Sequence, residues 1–234
     1  MSITLNDIQK AKERIAPYIT ETPLLRLHSL DAYLGCQVYA KAECMQITGA
    51  FKLRGALNKI CQLTEEQLQR GIVAASSGNH GKAVAYTARM LHTKATIVMP
   101  YTAPPVKVEA IRALGAEIVQ CETSQRFQIA QALCQERGAV MVPPYDDVVI
   151  MAGQGTAGLE HPVPRAFQGH RSHQRRRSAF RHFHSREGDF PEDACIRCGT
   201  GSPAPLQHQP AKSCPHQGGT EIFHRGCAGG PDAR

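Results

Sequence analysis

From Ile72 onward, short β-rich runs alternate with stretches patterned as helices, and this alternation limits the possible folds more than any other feature of the chain. Residues 72–76, 95–99, 117–121 and 140–142 each read as a strand, because each is a brief apolar or β-branched run bounded by turn residues. Between them, Ala83, Ala85, Ala88 and Leu91 suit a helix packed on a sheet, and Pro104-Pro105 opens a second helix that Gly115 closes. A third runs from about Ser124 through Phe127, Ala130, Leu133 and Cys134 to Gly138. Strand–helix alternation predicts an α/β fold with a parallel sheet covered by helices, since parallel neighbours need a crossover long enough to hold a helix. Upstream, Ile8, Ala11 and Ile15 mark an amphipathic helix ending at Pro17, residues 37–42 read as a strand and residues 53–61 as a helix.

After Glu160 the composition changes abruptly. Residues 161–234 hold only four Ile, Leu, Val or Met (Val163, Ile196, Leu206, Ile222), against ten Arg, eight His, eight Pro and nine Gly. Such a segment cannot bury enough apolar area to offset the entropy of ordering it, and disorder is expected there. The formal charge of +7 divides as +2 for residues 1–160 and +5 for the remainder, so the basic excess belongs mainly to the tail. Its first candidate partner is therefore not nucleic acid. No apolar run approaches the roughly 18 residues that cross a bilayer, and residues 1–6 lack the pattern of a secretory signal, which points to the cytoplasm and away from membranes. Nine cysteines without even spacing read as free thiols, and Cys36, Cys44, Cys61, Cys121 and Cys134, in apolar segments, are expected to be mostly buried.

Two motifs carry chemistry. In Thr48-Gly49-Ala50-Phe51-Lys52-Leu53-Arg54-Gly55-Ala56, a lysine stands just before a helix beside glycines that permit close backbone approach, an arrangement suited to bonding a carbonyl cofactor. In Ser76-Ser77-Gly78-Asn79-His80-Gly81, a turn joins the carboxyl end of a parallel strand to a helix, where backbone N–H groups can hold a carboxylate or phosphate. Taken alone, Lys52 is one more surface lysine and the second motif any tight strand-to-helix turn. No metal site is expected among these residues.

In this order and spacing, the two motifs resemble fold-type II pyridoxal-phosphate enzymes, closest to the threonine/serine dehydratase and serine racemase group. Glu21-Thr22-Pro23-Leu24, the run from Lys107 to Glu117, Pro143-Pro144-Tyr145-Asp146-Asp147 and Gly153-Gln154-Gly155-Thr156 extend the resemblance over about residues 4–160. The resemblance implies pyridoxal 5'-phosphate as cofactor, a small amino-acid substrate and, for the intact fold, a homo-oligomer. It implies that Lys52 is the Schiff-base lysine that moves the Cα proton, with Phe51 beside the cofactor ring and Asn79 donating to the ring's 3-hydroxyl. The turn of Ser76, Ser77, Gly78, Asn79 and His80 becomes the cradle of the substrate carboxylate. Ser77 departs from the alanine of many dehydratases: a serine there serves racemases as the second base, but it can equally cap the helix or bind the carboxylate. Ala50 replaces the serine of most relatives and removes a minor hydrogen bond. The activity implied is β-elimination of water from a small β-hydroxy amino acid such as threonine or serine, with serine racemisation and a non-catalytic remnant as alternatives.

The family's next landmarks, a strand leading to a glycine-rich phosphate loop and a later residue facing the pyridine nitrogen, do not occur. Where the loop is due, the chain reads Gly169-His170-Arg171-Ser172-His173-Gln174-Arg175-Arg176-Arg177-Ser178-Ala179-Phe180-Arg181. Codons permitted for these residues, read one base later, spell Val-Ile-Val-Pro-Ile-Ser-Gly-Gly-Gly-Leu-Leu-Ser, which is a buried strand and a phosphate loop. A shift of reading frame near His161 accounts for both. The organisation expected is an N-terminal part of a large domain (1–61), a small α/β domain (62–149), the start of a return to the large domain (150–160) and a non-native tail (161–234). The competing reading is a basic appendage, in which Cys195, Cys198, Cys214, His216, His224 and Cys227 bind zinc or Arg175–Arg177 touch phosphates.

Overall fold

The computed structural model describes residues 3–34 and 37–161. The readings made for residues 162–234, including disorder, zinc ligation and the shifted frame, lie outside the described residues.

The chain begins with helix α1 (Leu5–Ile15), set by a capping box in which Thr4 Oγ1 accepts from the Asp7 N–H and the Asp7 carboxylate accepts from the Thr4 N–H. Its buried stripe is Ile8, Ala11 and Ile15, and a short 3-10 turn containing Pro17 follows. Strands β1 (Leu24–Arg26) and β2 (Tyr39–Lys41) flank helix α2 (His28–Leu34) and pair antiparallel, Leu24 opposite Lys41 and Arg26 opposite Tyr39. Helix α3 (Lys52–Ile60) carries the first motif.

The expected sheet comes next. Helix α4 (Glu65–Arg70), strand β3 (Ile72–Ala75), helix α5 (Asn79–Met90), strand β4 (Ala95–Pro100), helix α6 (Pro105–Arg112), strand β5 (Glu117–Cys121), helix α7 (Arg126–Arg137) and strand β6 (Val140–Met141) follow in order. The four strands pair in parallel in the order β5-β4-β3-β6. Alternation along β3 shows why both faces are covered. Ile72 and Ala74 join Ile97 and Met99 on the face packed by α3, α5 and α6, whereas Val73, Ala75 and Val98 pack against Ala130 of α7. Helix α7 ends where expected, on Gly138 at φ 62, a left-handed cap that costs glycine nothing.

Three helices were not expected, α2, α4 and one over residues 148–155, and the last bears on the site. Residues 148–155 form α8 (Val148–Gly155), started by Asp147, whose carboxylate accepts from the N–H groups of Val149 and Ile150. Two glycines in eight residues argue against a helix by propensity, but Gly153 lets α8 lie directly on α3 and Gly155 lets it lie against Ile8 of α1. A Cβ at Gly153 would stand 2.4 Å from the Arg54 carbonyl oxygen, and one at Gly55 would stand 3.0 Å from the Ile150 carbonyl oxygen.

A buried ionic network closes this half of the fold. Arg54, fully buried on α3, donates to Glu43 from Nε at 2.9 Å and from Nη2 at 2.8 Å, and to Glu160 from Nη1 at 2.5 Å. Lys41 also meets Glu160, and Thr22 donates its hydroxyl to Glu43 at 2.6 Å. The cysteine expectation needs correcting. The four described cysteines are free thiols, but only Cys121 is buried. Cys61 and Cys134 are half-buried and Cys44 is exposed, because Cys44 sits on the 3-10 turn Glu43–Met45, whose inward position is taken by Glu43 for Arg54.

Candidate active site

Helix α3 begins at Lys52 and turns the lysine inward: the residue is only 3% exposed. Its Nζ donates to the Pro144 carbonyl at 2.7 Å and lies 5.1 Å from the Phe51 ring centroid, and no carboxylate pairs with it among the described residues. Burial without a counter-charge penalises the ammonium form, and its pKa falls from 10.5 to about 8. At pH 7 that leaves about a tenth as the free amine, the form that attacks a carbonyl, far more than an ordinary lysine offers. The reading of Lys52 as a surface residue is therefore excluded.

The second motif folds as a strand-to-helix turn. Ser76 Oγ accepts from the N–H of Gly78 at 3.1 Å and of Gly81 at 2.8 Å, so Ser76 satisfies the start of α5. This corrects one role considered for Ser77: the capping serine is Ser76. Ser77 is exposed, and its hydroxyl has no partner among the described residues. The N–H groups of Ser77, Asn79 and His80 likewise keep no partner among the described residues and stand at the positive end of a 12-residue helix. The Asn79 side chain is half-buried at the first position of that helix.

His80 turns its ring inward. Burial first, and the charge of Lys52 second, drive its pKa down to about 4 against the opposing effect of its bond to the Val142 carbonyl, so the imidazole is neutral. Nε2, 2.9 Å from that carbonyl, must then carry the hydrogen, which leaves Nδ1 as a buried acceptor without a partner. Only the backbone of His80 is free to hold a carboxylate.

The first motif and the second thus converge on one segment, residues 142–144. Gln154 of α8, 1% exposed, reaches the same Pro144 carbonyl from Nε2 at 3.4 Å. On the far side of this segment, Ala75, Phe127, Cys134, Met141, Pro143 and Pro144 line an apolar cavity of about 430 Å³. Sequence reasoning assigned no role to Pro144 or Gln154, although both stand in quoted motifs. A carbonyl acceptor leaves no trace in residue type, and a glutamine between glycines carries no charge signal.

Residues 15–168 match the family model described as "Pyridoxal-phosphate dependent enzyme". The chain belongs to this pyridoxal-phosphate dependent enzyme family. Among curated relatives of this family, it is 43% identical over 159 residues to the L-threo-3-hydroxyaspartate ammonia-lyase of Saccharomyces cerevisiae, a match covering 67% of this chain and 49% of that protein. It is 45% identical over 161 residues to the L-threonine dehydratase catabolic TdcB of Staphylococcus aureus, covering 68% of this chain and 46% of that one. The crystal structure of serine racemase from Dictyostelium discoideum superposes with a TM-score of 0.64 at 40% identity, over 68% of this chain and 53% of that one. The chain spans about half the length of the curated relatives it matches.

The residues present fit the family's cofactor. Lys52 offers a buried amine with a lowered pKa next to an aromatic ring, and His80 Nδ1 is an orphaned buried acceptor beside it. The glycines of the second motif let its turn pack closely: a Cβ at Gly81 would stand 2.8 Å from Cγ2 of the buried Ile97, and one at Gly78 would stand 2.8 Å from Lys107 Cδ. Among the described residues, no cluster of three or more His, Cys, Asp or Glu is placed to hold a metal, and no helix is long and apolar enough to cross a membrane.

Proposed function

We propose that this chain carries the lysine-bearing half of an ammonia-lyase that dehydrates a small β-hydroxy amino acid, such as serine or threonine, to a 2-keto acid and ammonia. The observation that carries this reading is the buried Lys52 amine, held at 2.7 Å by a neutral carbonyl with its pKa lowered to about 8. Pyridoxal phosphate, when bound, supplies a carbonyl for the substrate amine and a conjugated ring that takes up the electron pair left at Cα. Lys52 would hold that group and then accept the Cα proton at Nζ. Phe51 would lie beside the ring and Asn79 would donate to its 3-hydroxyl. The free N–H groups of Ser77, Asn79 and His80 would bind and orient the substrate carboxylate.

Within this reading, residues 62–149 form a small domain, and residues 1–61 and 150–160 begin a large one whose remainder is encoded in the shifted frame after Glu160. The intact fold would act as a cytoplasmic homo-oligomer. A second reading, racemisation of serine, is favoured by one observation: Ser77 is exposed and released from capping by Ser76, which leaves its hydroxyl available as a base.

The test is reductive trapping. The chain is incubated with pyridoxal phosphate, reduced with borohydride and digested, and the modified lysine is identified by mass spectrometry. Modification concentrated on Lys52 is expected. Labelling spread over exposed lysines, with Lys52 spared, would overturn the assignment. A protein carrying the shifted frame after Glu160 should further release ammonia from serine or threonine, and Lys52→Ala should abolish that release.

A further inference from the structure

Buried lysines are usually held by carboxylates; Lys52 is held by a backbone carbonyl. That carbonyl needs fixing of its own, because Pro144 lies beyond the end of β6, where the ladder with β3 has stopped. Three buried side chains from three helices fix the segment. His80 of α5 meets the Val142 carbonyl at 2.9 Å, Lys52 of α3 donates to the Pro144 carbonyl at 2.7 Å, and Gln154 of α8 donates to the same carbonyl at 3.4 Å. Gln154 can reach it only because α8 lies on α3 at glycine contacts; its own Cγ would be 3.0 Å from a Cβ at Gly55.

We propose that Gln154 is a positioning residue for Lys52: by sharing the Pro144 carbonyl, it holds the seat of the lysine amine and limits how strongly that carbonyl can retain the ammonium. This rests on the reading of Lys52 as the reactive amine. The carbonyl has two lone pairs, and a donor on one of them weakens it as an acceptor for the other. With Gln154 in place, desolvation dominates and the amine is kept partly free. Without it, the carbonyl becomes a better acceptor for the ammonium, and the loosened segment admits water. Both effects act in one direction, toward a more firmly protonated Lys52.

The groups facing the amine are few. From α5 comes the neutral His80, from α8 the uncharged Gln154 and from the 142–144 segment only carbonyls, while Arg54 on the lysine's own helix is occupied by Glu43 and Glu160. No carboxylate is recorded against it among the described residues to mask the effect.

The experiment reads the protonation of Lys52 in the chain as it exists, without cofactor. Acetic anhydride labelling across pH, quantified for the Lys52 peptide by mass spectrometry, gives the midpoint at which the amine becomes reactive. In the wild type this midpoint is expected near 8. In Gln154→Leu it should rise by about one unit, which makes labelling at pH 7 roughly tenfold slower. Asn58→Ala is the control, since it removes another α3–α8 hydrogen bond, Asn58 Nδ2 to the Val149 carbonyl at 2.7 Å, without touching Pro144. It should lower the melting temperature and leave the Lys52 midpoint unchanged. If Gln154→Leu does not fold, the near-isosteric Gln154→Met is judged by the same criterion. An unmoved midpoint in the folded Gln154 variant, or an equal shift in Asn58→Ala, would overturn the proposal. Because labelling needs no pyridoxal phosphate, failure of cofactor trapping would count against the proposed function and not against this one.

Discussion

Arg54 and Glu160, 106 positions apart, form an ion pair at 2.5 Å with side chains 0% and 4% exposed. The contact joins the helix of Lys52 to the residue at which the composition of the chain changes. Glu160 also meets Lys41 and accepts from the Thr22 N–H at 3.3 Å, so one carboxylate ties three segments together. Glu160→Ala leaves two buried cations short of a partner. Arg54 keeps Glu43, which places the expected loss near the lower end of the usual range, about 3 kcal/mol, measurable by denaturant unfolding. Burial raises the pKa of Glu160, but hydrogen bonds from Arg54 and Lys41 outweigh that and hold it below the ordinary 4.5. A lowered carboxylate pKa stabilises the fold above about pH 4.5, and the contribution is lost as pH falls through the native value. Glu160→Gln should therefore show a flatter acid limb than the wild type.

Lys52 has the opposite thermodynamic sign. Its native pKa of about 8 lies below the unfolded 10.5, so between these values the unfolded chain binds more protons and stability rises with pH. Below pH 8 the full cost of the buried amine is present. Lys52→Met should therefore stabilise the chain at pH 7 by roughly 3 kcal/mol at most, and the gain should shrink as pH approaches 10.5. A Lys52→Met protein less stable than wild type at pH 7 would mean that the Pro144 hydrogen bond outweighs desolvation.

The α3–α8 contact is tested at Gly153. An added Cβ would meet the Arg54 carbonyl oxygen at 2.4 Å and Asn58 Cβ at 2.7 Å, both on a helix that cannot move without shifting Lys52. Gly153→Ala is expected to cost about 1–3 kcal/mol or more. Gly115→Ala is a useful contrast: its Cβ would meet nothing within 4 Å, and any cost there comes from φ +87 alone.

These contacts mark where the sequence could be read and where it could not. The strands β3 and β4 were legible because a buried parallel strand is a continuous apolar run, and the edge strand β5, only partly buried, was legible from its short β-branched run after Gly115. Helix α8 was not, since Val148-Val149-Ile150-Met151-Ala152-Gly153-Gln154-Gly155 has apolar residues but no helical stripe, and its glycines serve contacts with distant residues, Gly153 with Arg54 and Gly155 with Ile8. Lys52 was legible through its motif, yet its partner is a carbonyl, which any residue type could supply. Arg54, Glu43 and Glu160 were visible only as charges, because burial of an ion pair depends on three segments meeting and not on any local pattern.

The turn at Ser76 and Ser77 gives the last prediction, because two adjacent hydroxyls have separable roles. Ser76 Oγ accepts two backbone N–H bonds, so Ser76→Ala should cost about 0.5–2 kcal/mol of stability. Ser77 is exposed and makes no hydrogen bond among the described residues, so Ser77→Ala should change stability by less than about 0.5 kcal/mol. With capping assigned to Ser76, an effect of Ser77→Ala on catalysis has two sources left: proton transfer at Cα, or binding of the substrate carboxylate. They differ in which reaction suffers. Racemisation needs a second base on the face opposite Lys52, whereas elimination needs only the lysine. In a protein carrying the shifted frame after Glu160, loss of carboxylate binding lowers deamination of L-threonine and interconversion of D- and L-serine together, through KM. Loss of a base abolishes interconversion and spares deamination. The lyase reading expects the parallel loss, and selective loss of interconversion would instead make Ser77 the second base of a racemase.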